Sequence, residues 1–268
     1  MKQLKRISAA AMMSLGFLVG CQTDEVTSSK KEIAPEVLNQ ISALGFGTRD
    51  VIQVEDGYLV EGDILLTEEN LRNGLGGKLI RIAEVEQYRT TNLVNAGTGR
   101  TIKVSVDPKM PSSYGLALDE VIRRYNAQTL TITFSKVTSG ADISFVNANG
   151  SYLASAGFPT AAGDPHNQVK VNTRAIGSGT STTWINYAAT IMAHELGHCI
   201  GFRHTDYMDR SYSCGGSPTN EGASTVGAIL IAGTPSVPDA GSWMLACIGS
   251  NQNRPFNSND SKALAALY

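Results

Sequence analysis

Residues 193–206 read Ala193-His194-Glu195-Leu196-Gly197-His198-Cys199-Ile200-Gly201-Phe202-Arg203-His204-Thr205-Asp206. Helical positions four apart stand on one face, so His194 and His198 project together and can share one metal ion, while Glu195 can reach a water on that ion. Gly201 lets the chain leave the helix through a left-handed or similarly tight conformation, which allows His204 to swing back as a third ligand. Three neutral imidazoles leave one tetrahedral position open to water, as a catalytic rather than a structural zinc requires. A coincidental His-Glu-x-x-His is expected about once in several hundred chains of this composition. The third spaced histidine makes coincidence far rarer, because the chain has only four histidines and three lie in this stretch. His166, after Asp164-Pro165, reads as part of a solvated turn.

Working outward, Trp184, Ile185, Ala188, Ala189 and Met192 give a broad apolar face, with Ser181, Thr182 and Thr183 available as caps, so the motif sits on a buried helix. Upstream, Ile102–Val106 alternates like a half-buried strand. Ser112 or Ser113 is placed to cap a helix whose stripe is Leu118, Val121, Ile122 and Tyr125, with Asp119, Glu120, Arg123 and Arg124 on the other face. Strand-like runs follow at 130–134 and 142–146, and Gln168–Val171 reads as a sheet edge. The expected fold class is α+β, with a helix packed on a twisted mixed sheet.

The first twenty residues read as an address rather than as structure: Lys2, Lys5 and Arg6 precede an apolar run, Ile7 to Val19, too short for a stable span. Residues 22–34 are polar and suit a tether. Pro35 suits the first turn of a helix bearing Val37, Leu38, Ile41 and Leu44, with Gly45 placed to end it. Asp56-Gly57 between Val51–Val54 and Tyr58–Val60 is a hairpin signal. The expected divisions are thus 1–20 signal, 21–34 tether, 35–85 a small α/β appendage, and 86–268 the catalytic domain.

With Cys21 set aside, Cys199, Cys214 and Cys247 remain, so an oxidising compartment implies one disulfide and one free thiol. Sequence does not fix the pair; Cys199 with Cys214 closes the shortest loop. The formal charge of −2 becomes more negative once the basic N-terminus is removed, which argues against nucleic acid as a partner. Protein or peptide substrates and a monomeric state are the expectation.

Leu18-Val19-Gly20-Cys21 resembles the bacterial lipobox, which implies a lipid on Cys21, an envelope location and, with Gln22 following, the outer membrane or cell surface. HELGHCIGFRH resembles the metzincin zinc signature, and Ser242-Trp243-Met244 looks like the methionine turn of those enzymes. More narrowly, AHELGHCIGFRHTDY, IAGTP at 231–235, Asp260, Ala263-Leu264 and Leu267-Tyr268 resemble the bacterial protease B, or dual-action HEIGH metallopeptidase, family. The resemblance covers roughly residues 86–268 and implies an upper subdomain ending at the zinc helix and a loop-rich lower subdomain after Gly201. Val60-Glu61-Gly62-Asp63-Ile64 resembles the FxGD segment of astacin propeptides, with Val60 in place of phenylalanine, and implies latency through Asp63. Thr205 stands where astacins place glutamate, and the nearest acid is Asp206.

These readings converge on a zinc endopeptidase in which His194, His198 and His204 bind Zn2+ and Glu195 is the general base. Tyr207 is the nearest candidate to assist the oxyanion, and substrate is expected to add as a strand along a sheet edge within 150–171. A zinc-containing surface binding module is the alternative, against which Glu195 beside an open coordination position argues, and an esterase or amidase on small molecules is a third, against which the Gly/Ser-rich, open design suggests a cleft for polymers.

Overall fold

The computed structural model describes residues 32–44, 46–73, 87–220, 228–235 and 238–268; the segment expected to be a signal, Cys21 and Gly45 lie outside them. In chain order the elements are α1 (Pro35–Ala43), β1 (Ile52–Val54), β2 (Gly57–Val60), β3 (Ile64–Leu66), α2 (Glu68–Asn73), β4 (Tyr88–Arg89), β5 (Arg100–Val106), α3 (Ser113–Asn126), β6 (Ile132–Lys136), β7 (Ile143–Asn147), β8 (Ala154–Ser155), β9 (Gln168–Val171), α4 (Thr173–Ile176), α5 (Thr182–Cys199), α6 (Ser211–Cys214), β10 (Ile229–Leu230) and α7 (Ser258–Leu267). The fold is mixed α+β, and no helix of the described residues is long and apolar enough to cross a membrane.

The main sheet runs β6-β5-β7-β9-β8. Its first four strands pair in parallel and β8 closes the edge antiparallel to β9. On the central strands apolar side chains are buried in alternation, Ile102 and Val104 on β5, Ile143 and Phe145 on β7, as a half-buried sheet face requires. α3 and α5 pack on each other and on this sheet. Tyr125 ties the two helices by donating its hydroxyl to Ala193 O at 2.8 Å, and Tyr114 meets Trp184 edge-on at 5.2 Å.

Three expectations need correction here. Gln168–Val171 is internal, because β8 covers it; a two-residue strand in a Gly- and Ser-rich run carries no periodic signal. α3 starts without a side-chain cap from Ser112, and Ser113 is buried within its first turn. The disulfide joins Cys214 to Cys247, not Cys199 to Cys214. Cys199 ends α5 fully buried in the core, whereas Cys214 lies on the short α6.

The N-terminal segment holds α1, β1 to β3 and α2, and it belongs to the same compact unit as the rest of the described chain. β1, β2 and β3 form an antiparallel sheet whose first hairpin turns at Asp56-Gly57. α2 was not foreseen, although Thr67 and Asn70 cap it reciprocally: Asn70 N donates to Thr67 Oγ1 at 3.2 Å and Thr67 N to Asn70 Oδ1 at 2.9 Å. The segment has its own apolar cluster, built from Ile41, Phe46, Tyr58, Val60, Ile64 and Leu66 among others, and Phe158 from the larger body completes it. Phe158 therefore packs the segment against the larger body.

Candidate metal centre and cleft

Ser181 starts α5 by accepting a hydrogen bond from Trp184 N at 3.2 Å, and from there the helix is buried along almost its whole length. His194 and His198 thus rest on a rigid element. Gly201 ends the turn at φ +108°, and a Cβ there would stand 2.7 Å from Leu93 Cδ2 and 3.0 Å from Asn92 O. Both the conformation and the close approach exclude other residues. Arg203 N then donates to Tyr88 O at 2.8 Å, and the chain delivers His204 back toward the helix.

The ligating atoms of Asp63, His194, His198 and His204 all lie within 4.8 Å of one another. Nε2 of His198 is 3.1 Å from Nε2 of His194, and Oδ2 of Asp63 is 3.2 Å from Nε2 of His204 and 3.4 Å from Nε2 of His194. The outer nitrogens fix the tautomers. Nδ1 of His194 faces Trp243 O at 2.9 Å and Nδ1 of His198 faces Phe202 O at 2.8 Å. A carbonyl only accepts, so Nδ1 carries the proton and Nε2 presents its lone pair inward. Two such lone pairs 3.1 Å apart repel unless a cation lies among them. Oδ1 of Asp63 and Oε2 of Glu195 are buried and have no hydrogen-bond partner among the described residues. This donor set fits a metal ion.

Electrostatics follow the same geometry. Burial opposes ionisation of Asp63, but the surrounding imidazoles, His204 foremost, hold its carboxyl well below the usual range. Burial, then the charge of Asp63, pushes Glu195 well above its ordinary value, with His204 opposing. Burial and the neighbouring imidazoles push His198 well below. Away from the cluster, His166 is not in a solvated turn: its ring packs on Gly157, and burial followed by the charge of Lys170 lowers it to about 4.

Met244 is fully buried against α5. Its carbonyl accepts from Thr205 N at 2.9 Å, which ties the turn to the stretch just after His204. Asp206 holds the next residues, accepting from Ala246 N at 2.9 Å and from Ser213 Oγ at 2.5 Å. A cleft of about 230 Å³ opens beside the cluster, lined by Asp63, His194 and Glu195 together with Ile191, Leu245 and Arg254 among others. Tyr207 is not among the lining residues; its ring packs edge-on against Tyr88 at 4.2 Å.

The sheet edge expected to receive a strand is occupied by the chain itself. Ala156 N donates to Asp63 O at 3.0 Å, Leu65 N donates to Ala156 O at 2.8 Å, and Ile64 bridges Ala156 in the parallel sense. Residues 58–268 match the family model described as dual-action HEIGH metallo-peptidase. The chain belongs to that family. The match begins within β2, so the HEIGH metallo-peptidase pattern takes in Glu61, Gly62 and Asp63 as well as the histidines.

Two solved structures of myroilysin are similar to this HEIGH metallo-peptidase. One is 16% identical with a TM-score of 0.39, covering 64% of this chain and 81% of that one. The other is 15% identical with a TM-score of 0.38, covering 73% and 99%. No curated protein matches.

Sequence reading missed two features around the centre. Glu61 and Arg203 form a buried ion pair, Nη2 of Arg203 lying 2.8 and 2.6 Å from the two carboxylate oxygens. Asp260, noted only as part of a resemblance, accepts from Gln87 Nε2 at 2.6 Å and from Trp243 N at 3.3 Å, and so supports the residue whose carbonyl orients His194. A pairing 142 residues apart leaves no local trace.

Proposed function

We propose that this metallopeptidase is a zinc-dependent endopeptidase of the metzincin type, made latent by its N-terminal segment. The observation that carries the reading is the convergence of three inward Nε2 atoms beside a buried glutamate, next to a cleft that His194 and Glu195 line. His194, His198 and His204 are the zinc ligands, Met244 is the methionine turn beneath them, and nitrogen-rich donors of this kind suit zinc. When bound, zinc supplies Lewis acidity, polarising the scissile carbonyl and acidifying the attacking water.

The chain's own residues do the rest. Glu195 takes the proton of the attacking water on its carboxylate and delivers it to the leaving amine. The carbonyls of Trp243 and Phe202 keep the imidazoles in the tautomer that faces inward. The edge at 154–156 aligns the substrate backbone by main-chain hydrogen bonds.

Latency follows from two overlaps. Asp63 stands in the position that the attacking water needs, and Asp63 to Leu65 lie along the edge that the substrate needs. In this reading residues 35–85 are a propeptide, 86–268 the catalytic domain, and 21–34 a tether to a lipid on Cys21. That lipid would hold the enzyme on the bacterial envelope, at the outer membrane or cell surface.

The test is hydrolysis of denatured casein by the chain lacking residues 1–20, before and after limited proteolysis, with and without a chelator, alongside Glu195→Gln. Activity that rises on trimming, disappears with chelator and drops about 10²- to 10⁴-fold in the variant, with one equivalent of zinc retained, supports the reading. Bound zinc with no cleavage under any condition would leave a binding module.

A further inference from the structure

We infer that Arg203 is the specificity-determining residue of an anion subsite in the active enzyme, where it takes a carboxylate of the substrate, and that Glu61 fills this subsite in the latent chain. The inference rests on the peptidase and latency reading above and extends it to substrate class: polypeptides with an acidic side chain within three residues of the scissile bond.

The guanidinium is positioned by the same turn that places His204. Arg203 N is held by Tyr88 O at 2.8 Å, one residue before the third histidine. Both side chains of the Glu61 pair are almost wholly enclosed, at 1% and 2% exposure. The flat guanidinium lies 4.7 Å from the ring of Phe46 and 5.8 Å from that of Tyr207. Of these groups, Glu61 and Phe46 belong to the N-terminal segment, while Arg203 and Tyr207 belong to the larger body.

Glu61 reaches this place at a cost. Its φ is +54°, a left-handed conformation that a residue with a Cβ adopts only where its surroundings impose it. It lies two residues before Asp63, on the stretch that enters the metal cluster and the sheet edge, so it sits where a bound polypeptide would present a neighbouring side chain. Arg210 adds a second guanidinium to the same path: Nη2 would be 3.1 Å from a Cβ on Gly62. Arg210 lines both the cleft and an adjoining cavity of about 280 Å³ that Glu61 also lines.

Release of the N-terminal segment removes Glu61 and Phe46 and leaves Arg203, Tyr207 and Arg210 facing the vacated path. A guanidinium in a half-enclosed site gains most from a hydrogen-bonded carboxylate, whose planar fork it matches. A neutral glutamine at that position would forfeit the charge while keeping the shape. Tyr207, off the cleft itself, thus acquires a part as a wall of this subsite rather than as an oxyanion group.

The test uses the full chain activated by limited proteolysis. Cleavage sites in denatured casein are mapped by mass spectrometry, and matched peptides differing only by Glu or Gln at the enriched position are compared. Acidic enrichment at one subsite, with a preference of about tenfold in kcat/KM as expected for hydrogen bonds to a charged group, supports the inference. So does its collapse toward unity in zinc-retaining Arg203→Gln. Casein cleavage with no acidic preference at any subsite overturns it while leaving the peptidase intact, as does an undiminished preference in Arg203→Gln. Absence of all casein cleavage overturns the peptidase reading and this inference with it. If Arg203→Gln does not retain zinc, inhibition decides: Glu peptides must suppress wild-type casein cleavage about tenfold better than their Gln counterparts, and equal suppression overturns the inference.

Discussion

Gly197 lies in direct contact with Met244: a Cβ at position 197 would stand 2.6 Å from the methionine sulfur and 3.2 Å from Nε1 of Trp243. The helix that carries His194 and His198 can therefore rest on the 242–245 turn only because this position is bare. Gly197→Ala would gain intrinsic helix propensity, about 1 kcal/mol, but must displace Met244 or Trp243. Trp243 O is the acceptor for His194 Nδ1, so the displacement reaches the metal cluster. The expected outcome is net destabilisation of about 1–3 kcal/mol and weaker metal retention, measured by urea unfolding and by metal content after dialysis. A variant as stable as wild type would show that the turn yields freely.

Asp63→Ala removes the carboxylate that approaches His204 and His194 at 3.2 and 3.4 Å. Under the latency reading the untrimmed variant cleaves casein without prior proteolysis, while the wild type needs trimming. The activation is expected to be incomplete, because the backbone bridge at Ala156 and the pairs Glu61–Arg203 and Asp56–Lys170 still hold the segment down. Progress curves of the two untrimmed proteins, begun side by side, check this. Equal dormancy in both would place the block elsewhere.

Much of this architecture is legible locally, and what is not shares one cause. The histidine spacing, the role of Gly201, the hairpin at Asp56-Gly57 and the helix-strand order are each set by residues within a few positions of one another. The sheet edge is not: β8 is two residues long, so its presence outside Gln168–Val171 depends on tertiary pairing alone. Cysteine pairing failed likewise, since loop length favours Cys199 while burial in the core withdraws it. The Glu61–Arg203 pair joins two segments that are each unremarkable as sequence.

The Cys214–Cys247 bridge closes a loop between residues 33 apart and anchors a wall of the cleft, since Cys247 lines it. Constraining a loop of that size contributes about 2–4 kcal/mol. Cys247→Ser is therefore expected to lower the unfolding midpoint and to raise KM more than it lowers kcat, because the bridge lies in the cleft wall and outside α5, which carries His194 and His198. Cys199, enclosed and with its thiol pushed up by burial and by Glu195, should stay unreactive toward iodoacetamide until the chain unfolds. Denaturation curves, steady-state kinetics and alkylation mass shifts measure these outcomes.

Asp260 supplies a pH signature. Burial raises its carboxyl to about 6, against the opposing pull of Asn257, Ser242, Gln87 and Trp243. In the unfolded chain an aspartate titrates near 3.9, so between about pH 4 and 6 the folded state keeps a proton that the unfolded state has lost. Stability from this group is present below the unfolded value and falls as pH rises through that window, by about 2–3 kcal/mol in all. Asp260→Asn should remove that decline. The difference between wild-type and variant unfolding free energies, measured by urea titration at half-unit steps from pH 4 to 7, is expected to shift in the variant's favour until about pH 6 and then level. A difference that stays flat would mean the donors around Asp260, not its burial, govern its charge.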